Sequence, residues 1–179
     1  MYGNETMTTA DDTRTRILAA AQELFAERGY SNTSLADIAA AVGLTKTAVA
    51  YHFHPKDRLA AELLAPAADD MLALLGTDFD GRAAFLDALV RFMVRHRAVI
   101  RLVMEDVNGA DDAPPGSPGE AFRTFRDEIF TRLAGPEPGP ESRLRGWAVL
   151  GALQWGVVQT VDLPAEQVEK VLTRAVQAI

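Results

Sequence analysis

The sequence predicts an all-α chain in two parts, a small N-terminal three-helix domain joined to a larger helical domain. Three observations predict it. Apolar residues recur at helical spacing from Thr13 to Ile179. Glycine and proline clusters cut that pattern into helix-length pieces. One glycine, Gly43, separates two short amphipathic segments in the manner of a helix-turn-helix. With 179 residues and 48% hydrophobic content, the chain can support one substantial core, or a small domain fused to a larger one.

Charge narrows the function. The net charge of -7 argues against a general polyanion binder. The charges are nevertheless divided: six Lys/Arg face four Asp/Glu between Thr13 and Arg58, whereas twelve face eighteen after Ala60. No cysteine is present, which removes disulfides, thiolate nucleophiles and cysteine-based zinc sites. Met1 to Asp12 is polar and acidic, without the basic start and apolar run of a secretory signal. No apolar run approaches the ~20 residues that cross a bilayer. The expectation is a cytoplasmic protein with a flexible arm over residues 1–12, a helix-turn-helix domain over 13–58 and a second helical domain over 59–179.

In the first predicted helix, Thr13 to Arg28, Ile17, Leu18, Ala21, Leu24 and Phe25 share one face. Ser34 and Asp37 have the spacing of a capping box, and Leu35, Ile38, Ala39 and Val42 supply an apolar face behind it. Gly43 stops that helix, because glycine alone takes the left-handed geometry there without a Cβ penalty. Thr45 caps the next one, with Ala48, Val49 and Phe53 inward and Lys46, Thr47, Tyr51 and His52 outward. His54-Pro55 opens a fourth helix running to about Gly76, with a kink or break expected near Glu62 to Pro66.

Beyond Asp80 the pattern gives further helices up to Arg97, from Val99 to Val107, from Ala121 to Leu133, from Ser142 to Asp162 and from Pro164 to Ile179. Asn108 to Gly119, rich in Asp, Pro and Gly, reads as a surface loop or flexible segment. His96 and Arg97 read as helix-end residues.

The segment Thr33-Ser34, Ile38-Ala39, Val42-Gly43-Leu44-Thr45, Tyr51-His52-Phe53 and Lys56-Asp57-x-Leu59 resembles the DNA-binding domain of the TetR-type repressors. Arg16-Ile17-Leu18, Ala20-Ala21, Leu24-Phe25 and Gly29-Tyr30 also resemble that family's first helix. The likeness covers Thr13 to about Leu64 motif by motif, with differences at Thr47, Ala50 and Pro55. It implies a homodimeric repressor that leaves a palindromic DNA operator when a small-molecule inducer binds.

Residue types give the candidate roles. Lys46 and Thr47 at the start of the second helix of the motif suit base edges in a major groove, and Tyr51 and His52 suit phosphate oxygens. Thr33 and Lys56 fall at helix starts, where amides face an anion. Together with Thr45 these seven form the candidate DNA-contacting set. Phe85, Leu89, Phe92, Met93, Met104, Phe122, Phe125, Trp147 and Trp155 offer apolar surface for a ligand, and Gln154, Gln159, Asn108 and Glu105 offer polar contacts. Ala148, Ala152 and Gly156 recur every four residues, and Val168, Val171, Leu172 and Ala175 make a matching stripe. The resemblance implies that these stripes pair two subunits; the alternative is that both face their own chain's core, and length favours mixed burial with one face for each.

No enzymatic motif, cofactor or metal is expected, since His52-x-His54 lacks a third ligand. An alternative class is a ligand-sequestering or interaction protein that keeps the fold without specific DNA binding, suggested by the acidic balance and by Thr47 and Ala50.

Overall fold

The computed structural model describes residues 5–106 and 118–179, and every regular element among them is an α-helix. In order these are α1 (Glu5–Arg28), α2 (Leu35–Val42), α3 (Lys46–His52), α4 (Lys56–Gly76), α5 (Gly81–Arg95), α6 (Arg97–Asp106), α7 (Pro118–Ala134), α8 (Pro140–Val158) and α9 (Ala165–Gln177). They fall into two compact units, Met1–Pro66 and Ala67–Ile179.

In the first unit α1 packs on α2 and α2 on α3. Ile17, Ala21, Leu24 and Phe25 of α1 are buried with Leu35, Ile38 and Ala39 of α2, Val49 of α3, Phe53 and Leu59. Each of the larger of these side chains contributes about 1.5–3 kcal/mol by leaving water. The capping box is present: Asp37 N donates to Ser34 Oγ at 3.2 Å, and Ser34 N donates to Asp37 Oδ2 at 2.8 Å. The Ser34 hydroxyl and amide hold the Asp37 carboxyl below the ordinary aspartate range. Gly43 has φ 70°, and the Gly43 and Leu44 amides bond to Ala40 O at 3.3 Å and Ala39 O at 2.9 Å. This paired closure stops α2 and aims the chain into α3.

Three expectations are corrected. Of the stretch expected to be a flexible arm, residues 5–12 are helical and belong to α1. No glycine or proline interrupts the stretch, and Thr15 Oγ1 donates to Asp11 O at 2.8 Å along the helix. The division between units falls after Pro66 rather than after Arg58. The first turns of α4 belong with the motif, since Leu59 is buried and Glu62 pairs with Arg14 and Arg58. Nor is α4 interrupted at Pro66. A proline forfeits one ladder bond, and here alanines at 65, 67 and 68 favour continued helix on either side.

In the second unit α5 packs on α9, α8 on both α7 and α9, and α6 on α8. The core gathers Phe85, Leu89, Phe92 and Met93 of α5 with Ile129 of α7, Val149 and Leu153 of α8, and Val176 of α9. Two glycines of α8 allow its close approaches. A Cβ on Gly146 would stand 3.0 Å from Phe130 Cε2, and one on Gly156 would stand 2.7 Å from Leu172 Cδ2. Arg132 of α7 donates to Leu75 O and to Thr77 O, satisfying carbonyls at the C-terminal end of α4. Among the described residues no helix is long and apolar enough to cross a membrane.

Replacing Gly156 with valine would push a branched side chain into Leu172. The expected loss is about 1–3 kcal/mol of folding stability, read as a lower urea midpoint with an unchanged slope.

Candidate functional site

Thr45 starts α3: its Oγ1 accepts from Ala48 N at 3.1 Å while its backbone stays extended. That cap, with Val49 buried and Ala48 partly buried below, turns Lys46, Thr47 and Tyr51 outward. Tyr51 is 86% exposed, and its ring stands edge-on to His52 with centroids 5.4 Å apart. An aromatic left this far in water contributes nothing to the core and presents a phenol donor to whatever lies outside.

The cations of this unit are unequally committed. Arg14 pairs with Glu62 and lies over the Phe53 ring. Arg16 Nη2 donates to Val42 O at 3.0 Å, closing the end of α2. Arg58 reaches Glu62 at 3.8 Å. By contrast Lys46 is exposed, and among the described residues it makes no hydrogen bond or ion pair. Its charge is free for an external anion or base edge.

Two members of the candidate set have other duties. Thr33 is 1% exposed, and its hydroxyl lies 2.9 Å from Gly29 O and 3.3 Å from Leu24 O. Buried beneath the turn, it ties the end of α1 to the loop before α2 and faces no phosphate. Lys56 Nζ donates to Tyr30 O at 2.8 Å and Thr33 O at 3.0 Å, and sits 3.8 Å from the centre of the Tyr30 ring. The side chain is a clamp on the Gly29 to Thr33 loop, with Tyr30 OH in turn donating to Asp57. Nothing in its spacing revealed this, because the carbonyls it serves are more than twenty residues away.

In the second unit Phe85, Leu89, Phe92, Met93 and Phe125 are buried in one cluster, and Met104 and Phe122 pack against it. The Phe92 and Phe125 rings lie 5.2 Å apart. The tryptophans are corrections. Trp155 is 61% exposed on the outer face of α8; Trp147 is 46% exposed and stacks on Phe130 at 4.7 Å. Neither belongs to the buried cluster, because α8 turns positions 149, 150, 153 and 157 inward instead. Gln154 is partly buried and Gln159 exposed. Asn108 and the side chain of Glu105 lie outside the described residues.

The small-residue stripe divides in the same way. Gly156 meets Leu172 of its own chain, Ala152 packs on the core, and Val168 and Leu172 are buried. Those four pack within their own unit. Ala148, Val171 and Ala175 are exposed, and with Leu144 (73% exposed), Gly151 and Trp155 they form an outward face of α8 and α9. Leu144 falls at i, i+4, i+7 and i+11 with Ala148, Gly151 and Trp155, a period visible in the sequence beside the inner one.

Comparison with known proteins accords with this arrangement. Residues 17–63 match the family of bacterial regulatory proteins, tetR family. The HTH-type transcriptional repressor KstR2 of Rhodococcus jostii (strain RHA1) is 37% identical over 91 residues, 45% of this chain and 44% of that protein. The HTH-type transcriptional regulator TtgR of Pseudomonas putida is 44% identical over 55 residues, 31% of this chain and 26% of that protein. The chain thus spans less than half the length of these curated relatives. A transcriptional regulator (TerR/AcrR family) from Aquifex aeolicus VF5 shares the fold, with a TM-score of 0.66 at 20% identity over 93% of this chain and 98% of that one. Residues 17–63 thus resemble the tetR-family regulators in sequence, and the chain as a whole resembles the solved regulator in fold.

If Lys56 is a clamp, its loss is first a loss of stability. Lys56→Ala should lower the stability of the N-terminal unit by about 1.5–3 kcal/mol, the range for hydrogen bonds to a charged group, whereas Lys46→Ala should leave it within about 0.5 kcal/mol of wild type. Urea titrations followed by circular dichroism compare the two.

Proposed function

We propose that the chain is a sequence-specific DNA-binding transcriptional regulator of the cytoplasm, acting as a homodimeric repressor that a small molecule releases from a partly palindromic operator. The observation that carries the reading is the outer face of α3. Lys46, Thr47 and Tyr51 stand in solvent, with His52 partly exposed beside them, while Arg14, Arg16 and Lys56 are held by internal partners. Lys46 donates to guanine O6 and N7, Thr47 meets a base edge or a thymine methyl, and Tyr51 and His52 donate to phosphates. Thr45 sets the start of α3 and so the depth at which these side chains enter the groove. That KstR2 is described as a repressor supports the direction of regulation.

A seven-residue reading helix has too few contacts to select a site alone, and two copies double them. The outward face of Leu144, Ala148, Gly151, Trp155, Val171 and Ala175 is apolar and contiguous by helical register, which suits a second copy of α8 and α9. Two reading helices then address half-sites about 34–36 Å apart, or a multiple of that spacing. The aromatic cluster of the second unit supplies an apolar seat for a ligand, and α4, whose residues divide between both units, carries its effect. A hundredfold loss of DNA affinity requires about 2.8 kcal/mol of difference between the liganded states.

Fluorescence anisotropy with DNA flanking the protein's own gene tests the DNA reading. Wild type should bind that fragment at least about a thousandfold more tightly than a shuffled one at the same salt, and Lys46→Ala should lose about 1–3 kcal/mol and relax base preference at one position. Equal binding to both fragments would leave the chain as a ligand-sequestering or interaction protein. The pairing face has its own test: Leu144→Glu with Trp155→Glu should sediment as a folded monomer, since each charge would be buried without a partner. A dimer unchanged by both substitutions would move the interface elsewhere.

A further inference from the structure

Arg95, His96 and Arg97 are consecutive at the junction of α5 and α6. Asp70 serves the first two: its Oδ2 lies 3.2 Å from Arg95 Nη1 and 2.9 Å from His96 Nε2. Arg97 has no share in that carboxylate. Its Nη1 is buried and, among the described residues, has no hydrogen-bond partner. A buried lysine would answer such a situation by giving up its proton, but a guanidinium keeps its charge under all ordinary conditions. An unmade hydrogen bond on a charged donor is costly, and such sites call for an explanation outside the bare chain.

Met93 and Ile100 lie to either side of Arg97 in sequence and belong to the core cluster, and Met104 packs against it one turn further on. The His96 ring is 5.0 Å from that of Phe92, which in turn is 5.2 Å from that of Phe125. The junction thus carries one unsatisfied, permanently charged donor on helices whose Phe92, Met93 and Met104 belong to or pack on the apolar cluster.

Building on the reading of the second unit as a ligand domain, we propose that Arg97 receives the charged head of the ligand, and that the ligand is a hydrophobic carboxylate. Charge favours a carboxylate over a phosphate, since Asp70 is already paired with Arg95 and the single Arg97 guanidinium balances a single negative charge. The planar fork of arginine also matches the two oxygens of a carboxylate. The aromatic and methionine side chains accept the apolar body.

Calorimetric titration of the full chain with decanoate, decanol and decylammonium tests the assignment. Wild type is expected to bind decanoate at least about tenfold more tightly than decanol, the scale of one charge-assisted hydrogen bond, with decylammonium weakest. Arg97→Met is expected to erase that preference and to raise the melting temperature of the unliganded chain, because it removes the unpaired buried nitrogen. A structural arginine would behave oppositely, so an Arg97→Met chain that melts below wild type, or keeps the preference, overturns the assignment. Wild type that takes decanol or decylammonium as well as decanoate overturns it while leaving a ligand domain in place; wild type that takes none of the three overturns both.

Discussion

The N-terminal unit depends on one ammonium group placed over a loop. Residues 29–33 must turn the chain from the end of α1 into the start of α2, and in doing so they leave the Tyr30 and Thr33 carbonyls without helical partners. Lys56 satisfies both, and the Tyr30 ring screens the charge from one side. Because Lys56 is also the first residue of α4, the same contact fixes where that helix begins. Thr33, pinned from below by its hydroxyl, completes the seat. The orientation of α2 and α3 follows from these contacts, and so does the direction in which Lys46 and Tyr51 point. A position whose charge and setting invite a phosphate is here occupied in holding the N-terminal unit together.

Local rules made much of the fold legible. Ser34, Asp37, Gly43 and Thr45 announce helix ends because each acts on backbone atoms within a few residues, and the structure has the corresponding caps. The inner faces of α1 and α5 follow from apolar spacing, since a helix buries whichever stripe is continuous, whereas in α9 Val176 rather than Val171 and Ala175 joins Val168 and Leu172 inside. What stayed hidden was long-range. The partners of Lys56, Arg16 and Arg132 lie far away in sequence, and no periodicity encodes a carbonyl left bare by another helix's end. The tryptophans failed for a related reason: size suggests burial, but α8 carries two apolar faces, and only register against α7 and α9 decides which is inside.

The second unit shows how polar groups survive beside a hydrophobic cluster. Asp70 accepts from two neighbours at once, so the carboxylate and the nearly buried His96 are both satisfied where α4 meets the α5 to α6 junction. Gln177 does similar work at the other end of the bundle, donating to Asp87 at 2.7 Å. Against that background the unpaired Arg97 nitrogen stands apart. A unit that meets its buried polar needs elsewhere carries this cost at one corner only, among the described residues.

The contact between Gly156 and Leu172 has an evolutionary consequence. Because that inner approach holds α8 to α9 without help from the opposite side, the residues at 144, 148, 151 and 155 owe little to the stability of their own chain. They are free to drift under selection for what they meet rather than for what they support. If two copies pair through that face, as proposed, two descendants of one ancestor can keep a superposable fold while changing these few surface positions until their subunits no longer recognise each other. Gene duplication then yields regulators that coexist in one cell without mixing.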